Sequence, residues 1–196
     1  MSDFDISDES LMEAVNKGDL NAFEQLVRRH QSWVWKIAYR FLGNSDEASD
    51  ITQDAFLRLL DASRHYRVTA KFRTYFYRII TRLCIDHARK NRAVPIDSLP
   101  DIPAPGPSQI DRLEHQELES GIQKALDALP PEYRMVIILR YFEGLSGVEI
   151  ANAVKKTPKG VERLLARARK NLELSLYPYS QKITDDYEGE SDDSPV

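Results

Sequence analysis

The sequence predicts an all-α protein built as two small helical domains joined by a proline-rich flexible linker, the C-terminal domain containing a helix-turn-helix. Three observations carry this expectation. Apolar residues recur at helical spacing through nearly the whole chain, and strand signals are almost absent. Residues 93–110, AVPIDSLPDIPAPGPSQI, break that pattern with five prolines and a glycine, the composition of an extended linker. The stretch LSGVEIANAVKKTPKGVERLLARARKNL, from Leu145 to Leu172, sets two short amphipathic helices on either side of a tight break.

Taken in order, a first helix is expected over about Asp8 to Asn16 and a second over Leu20 to Leu42. In the second, Phe23, Leu26, Val27, Val34, Ile37, Ala38 and Phe41 form one stripe, and Gly43 is placed to cap its end. A third helix over Asp46 to Leu60 turns Ala48, Ile51, Ala55, Phe56, Leu59 and Leu60 inward. A fourth, from about Thr69 to Asn91, uses Phe72, Phe76, Ile79, Ile80 and Leu83. After the linker, the helical pattern resumes from Asp111 to Leu129 and again from Glu132 to Phe142, behind Pro130 and Pro131. These boundaries give domains over residues 1–92 and 111–176, followed by a polar, acidic and disordered tail over 177–196.

The break within Leu145–Leu172 is written in capping residues. Ser146 and Glu149 have the spacing of a capping box, and Leu145 and Ile150 that of a hydrophobic staple. Thr157 followed by Pro158 is a second cap, with proline at the first helical position. Beyond it, Val161, Leu164, Leu165, Ala168 and Leu172 face a core, which leaves Lys159, Glu162, Arg163, Ala166, Arg167 and Lys170 outward. Two helices joined by a short turn, the second basic, suit the DNA major groove. Taken alone, the pattern suits a charged helical hairpin equally well, because the turn lacks glycine and basic helices are common.

Charge distribution favours a polyanion. The net charge of -4 averages unlike segments: residues 1–10 carry four acids and no base, and residues 177–196 carry six acids against Lys182. Between them, residues 11–176 hold 26 bases and 21 acids. Arg64 to Arg92 has nine bases against Asp86 alone, and Lys155 to Lys170 has seven against Glu162 alone. Two basic patches far apart in sequence are what a protein touching nucleic acid at two places needs. Cys84 is the single cysteine and sits in an apolar run, so neither a disulfide within the chain nor a cysteine zinc site is expected. No apolar run approaches the roughly 20 residues that span a bilayer, and the acidic N-terminus is unlike a secretory signal, so a cytoplasmic protein is expected. No nucleophile with its base, phosphate loop or metal-ligand spacing points to an enzyme or to a cofactor.

Two stretches carry a family likeness. LPPEYRMVIILRYFEGLSGVEIA followed by VERLLARARKNL resembles the C-terminal domain of the extracytoplasmic-function (group IV) sigma factors, which direct bacterial RNA polymerase to promoters. GDLNAFEQLVRRHQSWVWKIAYRFLGNSDEASDITQDAFLRLL followed by FRTYFYRIITRLCIDHARKNR is similar to their N-terminal domain. The resemblance implies a region 2 domain that binds core polymerase and opens the −10 element, and a region 4 domain that reads the −35 element. It assigns Asp50, Gln53 and Asp54 to the coiled coil of the polymerase β′ subunit, and the C-terminal domain to the β flap. It assigns the segment Arg64 to Arg92 to the −10 element, with Tyr66, Arg67, Lys71, Tyr77, Arg78, Arg82 and Arg89 as its contacts. Arg78, Arg82, Asp86 and Arg89 share one mostly cationic stripe facing away from the core, and interleaved rings suit stacking on unpaired bases. At the −35 element, Lys159, Glu162, Arg163 and Arg167 lie near base edges, while Lys155, Lys156, Arg169 and Lys170 lie near phosphates.

The pattern departs from many relatives in the loop YRVTAKF, in Tyr75 where tryptophan is usual, and in Leu164 where arginine is common. Promoter preferences therefore differ from the usual consensus in expectation. The implied partners are core polymerase, promoter DNA and an anti-sigma factor, with no membrane insertion. The competing readings are a stand-alone helix-turn-helix regulator, which needs a dimer interface or sensor domain, a helical enzyme, which no catalytic constellation supports, and a pure interaction module, which the two basic patches oppose.

Overall fold

The computed structural model describes residues 6–66, 71–92 and 121–189, and for residues 91, 92 and 177–189 the backbone alone. The described residues contain helices and no strand. Helix α1 spans Asp8–Asn16, α2 Leu20–Leu42, α3 Ser45–Ser63 and α4 Phe72–Arg92. Helix α5 covers residues 121–127, and α6 runs over Pro131–Ile137 into a π-helical turn, Ile138–Phe142. Helix α7 spans Gly147–Val154 and α8 Pro158–Gly189.

Local chemistry sets the boundaries. The side chains of Ser7, Asp19 and Asn44 accept backbone N–H groups in the first turns of α1, α2 and α3. Gly43 ends α2 at φ 72°, its N–H donating to the Tyr39 carbonyl at 2.8 Å. A left-handed residue with such a bond is the usual helix stop, and glycine reaches it without strain.

Helices α2, α3 and α4 pack around Leu26, Ile37, Phe41, Leu59, Phe72, Phe76 and Ile80, all sealed from solvent. Aromatic edges lock this core: Phe76 lies 5.2 Å from Phe56 and 5.9 Å from Trp33, ring centre to ring centre. The expected stripes are buried in large part, with Phe23, Val27, Leu60 and Ile79 at their half-buried margins. Cys84 is fully enclosed, which pushes its thiol up to about 12 and leaves it an apolar core group.

The N- and C-terminal modules meet through α4, which packs on α6 and α7, and their buried residues form one continuous core. One expectation is corrected, that of a disordered acidic tail. The α4 stripe expected to face away from the core does so, Arg78, Arg82 and Arg89 being exposed, and it borders the second module. Each module has an apolar side that its few helices cannot cover, and packing the two together removes both from water. The acidic stretch from residue 177, expected to be disordered, is helical backbone as far as Gly189. Its acidity limits burial, but between Leu172 and Gly189 only Pro178 opposes a helix. The linker at 93–110, the helical start expected at 111–120 and Arg67 lie outside the described residues.

Candidate nucleic-acid interface

The C-terminal site rests on its turn. The hydroxyl of Ser146 accepts the Glu149 N–H at 3.3 Å, and the Glu149 carboxylate accepts the Ser146 N–H at 2.9 Å, completing the capping box. The same carboxylate accepts the Ser146 hydroxyl at 2.7 Å, and that bond first, with the Ser146 N–H second, holds the Glu149 carboxyl below its ordinary range. At the other end of α7, Lys155 adopts the left-handed conformation, φ 53° and ψ 47°, where the sequence offers no glycine. Thr157 Oγ1 then accepts the Gly160 N–H at 3.1 Å and starts α8.

This turn fixes the face that α8 presents. Val161, Leu165 and Ala168 are buried, while Lys159, Glu162, Arg163, Arg167, Arg169 and Lys170 are exposed, as their spacing requires. Lys155 and Lys156 are exposed at the turn, and Lys156 Nζ stands 3.3 Å from Glu132. Arg169 lies over the exposed Tyr141 ring at 5.8 Å. A cationic helix face with one carboxylate is suited to phosphates along its flanks and to base edges at its centre.

In the N-terminal set the cations Lys71, Arg78, Arg82 and Arg89 are exposed, while the two tyrosines are not. Tyr66 is half-buried, edge-on to Tyr75 at 5.5 Å, and burial, then Glu9 and Glu13, raise its phenol above the ordinary value. Lys71 is exposed. Tyr77 is not free for stacking: it is 5% exposed, 5.0 Å from the Trp33 ring, and its hydroxyl donates to Glu143 at 3.0 Å. Burial first, and the Glu143 charge second, push its phenol upward. Arg78 Nε donates to the Asn152 carbonyl at 2.8 Å, and Arg89 pairs with Glu132 at 2.7 Å. Arg82 is exposed and stands 3.5 Å from Asp86. Asp50, Gln53 and Asp54 lie together on the open face of α3.

Three residues here escaped the sequence reading. Leu57 is 63% exposed one turn beyond Gln53 and Asp54, an apolar group beside the acidic patch. It stands off the α3 stripe, and that misfit was the legible signal. Arg73 lies over the Trp33 indole at 4.5 Å, joining α4 to α2 by a cation–π contact. Glu143 gathers Trp33, Tyr77 and Arg40, partners too distant along the chain for local spacing to reveal.

Comparison with known proteins agrees with this architecture. The sigma-70 region 2 pattern matches residues 26–94, and the sigma-70 region 4 pattern matches residues 120–172. The chain is 33% identical over 173 residues to the ECF RNA polymerase sigma factor SigW of Bacillus subtilis, covering 83% of this chain and 92% of that one. It is 32% identical over 165 residues to the ECF RNA polymerase sigma factor SigE of Mycolicibacterium smegmatis, covering 82% of this chain and 64% of that longer one. Among solved structures, CnrH in complex with the cytosolic domain of CnrY is similar, with a TM-score of 0.65 and 27% identity over 87% of this chain and 97% of CnrH. Among the described residues no helix is long and apolar enough to cross a membrane. The chain belongs to the extracytoplasmic-function sigma factors, the subunits that direct bacterial RNA polymerase to promoters.

Proposed function

We propose that the chain divides promoter recognition between its two modules and has no catalytic activity of its own. Residues 1–92 act as the region 2 domain and 111–176 as the region 4 domain, with 93–110 as the tether. The −35 duplex is read by Lys159, Glu162, Arg163 and Arg167, and its phosphates are met by Lys155, Lys156 and Lys170. The −10 strand is met by Tyr66, Arg67, Lys71, Tyr77, Arg78, Arg82 and Arg89, and its capture melts the duplex. Asp50, Gln53 and Asp54 grip the coiled coil of the β′ subunit, with Leu57 as an apolar anchor beside them, and the C-terminal module meets the β flap.

The observation that carries this reading is the separation of exposed faces. The outward side of α8 is cationic, while the open face of α3 is acidic and amide-bearing with one apolar residue. The first suits DNA and the second suits a basic protein surface. An anti-sigma factor is the further expected partner, and work on polymerase places the protein in the cytoplasm.

Transcription reconstituted with core polymerase on genomic fragments tests the assignment. Replacing Asp50, Gln53 and Asp54 with alanine should abolish core binding and transcription while duplex DNA binding by the full chain survives. Core affinity at the wild-type level in the triple variant would overturn the assignment to α3.

A further inference from the structure

Two segments far apart in sequence bring their cations to one cleft. The cleft, of about 180 Å³, is lined by Arg78, Arg82 and Arg89 from α4 and by Lys155 and Lys156 from the turn before α8. Asp86 and Glu132 are the carboxylates of the lining, so five positive charges meet two negative ones. Both acids are already paired. Asp86 stands 3.5 Å from Arg82, and Glu132 stands 2.7 Å from Arg89 and 3.3 Å from Lys156. Arg78 gives its Nε to the Asn152 carbonyl at 2.8 Å, and neither Arg78 nor Lys155 has a carboxylate within ion-pair distance among the described residues.

Gathering like charges costs Coulomb energy, and more so beside an apolar wall that holds no water. Val136 and Ala153 form such a wall, 1% and 2% exposed, with Leu164 half-buried beside them. The carbonyls ending α7 carry negative potential, yet Thr81 and Arg78 donate to those of Ala153 and Asn152, at 3.0 and 2.8 Å. Those two carbonyls are thereby spoken for and do not repel an anion in the cleft. Lys155 sits at φ 53°, a conformation that a lysine adopts at a cost, and strain of this kind collects where a side chain has work to do. Surplus guanidinium and ammonium groups on a fixed frame suit phosphate oxygens, arginine meeting them as a fork and lysine as a point charge.

Size narrows the ligand. At about 30 Å³ per water, 180 Å³ is room for about six waters, or for a short chain of linked phosphates. Pockets that enclose a whole small molecule begin near about 300 Å³, so the base and sugar of a nucleotide lie outside. We infer that the cleft is a binding site for linked phosphates, supplied as inorganic pyrophosphate or as the polyphosphate tail of a nucleotide. The surplus positive charge matches a multivalent anion better than a single phosphate, and a linked pair engages α4 and the turn together. The inference stands apart from the promoter contacts proposed for the same cations, because its readout is phosphate binding by the free chain.

The test uses the full chain without divalent cations, which shield phosphate oxygens. Calorimetric titration and melting temperature are measured with inorganic pyrophosphate, with ATP, with inorganic phosphate, and with sodium chloride at matched ionic strength. Arg78→Gln and Lys155→Gln are made singly and together, so that one misfolded variant does not decide the result, and circular dichroism checks each. Lys36→Gln combined with Arg58→Gln removes the same charge from exposed positions outside the cleft. The wild type is expected to bind one pyrophosphate per chain and to melt at higher temperature with it, as a ligand of the native state requires, while phosphate and salt at equal ionic strength do neither. Each cleft substitution should weaken pyrophosphate by at least about fivefold, the effect of losing a hydrogen bond to a charged group, and the charge-matched control should bind as the wild type does. ATP binding with similar affinity assigns the tail of a nucleotide, and pyrophosphate binding without ATP assigns the inorganic ion. No pyrophosphate binding beyond the salt control overturns the site. An equal loss in the Lys36 and Arg58 control overturns it as well, because the anion would then be answering net charge alone.

Discussion

Lys155 shows how one residue serves both fold and function. It is the non-glycine residue at positive φ among the described residues, and it stands at the turn where a phosphate contact is expected. The left-handed conformation costs a residue with a Cβ about 1–2 kcal/mol, which glycine avoids. Retaining lysine there accepts that strain in exchange for charge. Lys155→Gly should therefore be more stable than Lys155→Ala by about 1 kcal/mol, whereas both should flatten the salt dependence of duplex binding by about one unit of slope. Thermal melts and a salt titration check the two halves. Equal stability of the variants would sink the strain argument, and an unchanged slope would sink the phosphate contact. His30 makes a second residue-scale case. Burial lowers its pKa from 6.5, outweighing the raising effect of Asp8, with Arg73 and Arg29 lowering it further. The unfolded chain thus takes up the proton first as pH falls, so stability contributed by neutral His30 is present above about 6.5 and is lost below it. Melting temperature should drop more between neutral and mildly acidic pH in the wild type than in His30→Gln, and parallel curves would count against it.

At the scale of the element, the helix-turn-helix depends on caps more than on helix propensity. Helix α7 has only eight residues, too short to persist without its ends satisfied and its apolar side packed. Ser146→Ala removes the side-chain acceptor and should cost about 1 kcal/mol of stability, with Ser146→Asp restoring most of it. Chemical denaturation reads this directly, and no loss in the alanine variant would mean that packing alone sets the start of α7. The same locality explains what the sequence made legible. The Ser146, Thr157 and Gly43 caps and the stripes of α2, α3 and α8 are fixed by residues within a turn or two of one another, so spacing alone exposes them. The contacts of Glu143 with Trp33 and Tyr77 span 110 and 66 residues, and no local period encodes such a meeting. Tyr77 was accordingly read as free for stacking, whereas it is buried beside Trp33 and Glu143. The course of α8 beyond Leu176 was missed for another reason: acidity was taken as a sign of disorder, although charge opposes burial rather than helical backbone.

At the scale of the whole molecule, a compact body has to serve a promoter whose two elements lie far apart. The eighteen residues of 93–110 reach about 60 Å when extended, the length of about 17 base pairs at about 3.4 Å each. No such reach is needed while the modules share one core, so the tether matters only once they separate on DNA. Deleting nine residues from 93–110 leaves a span of about 30 Å, too short for the same separation without help from the width of the modules. The closed body and the α3 face should tolerate the deletion. Its melting temperature and core affinity are therefore expected to match the wild type, while promoter-dependent transcription falls severalfold. Competition binding to core and run-off transcription, measured on the same preparation, distinguish these effects. Equal losses in both would mean that the tether supports the fold or the polymerase contact, and would count against a chain that bridges two promoter elements.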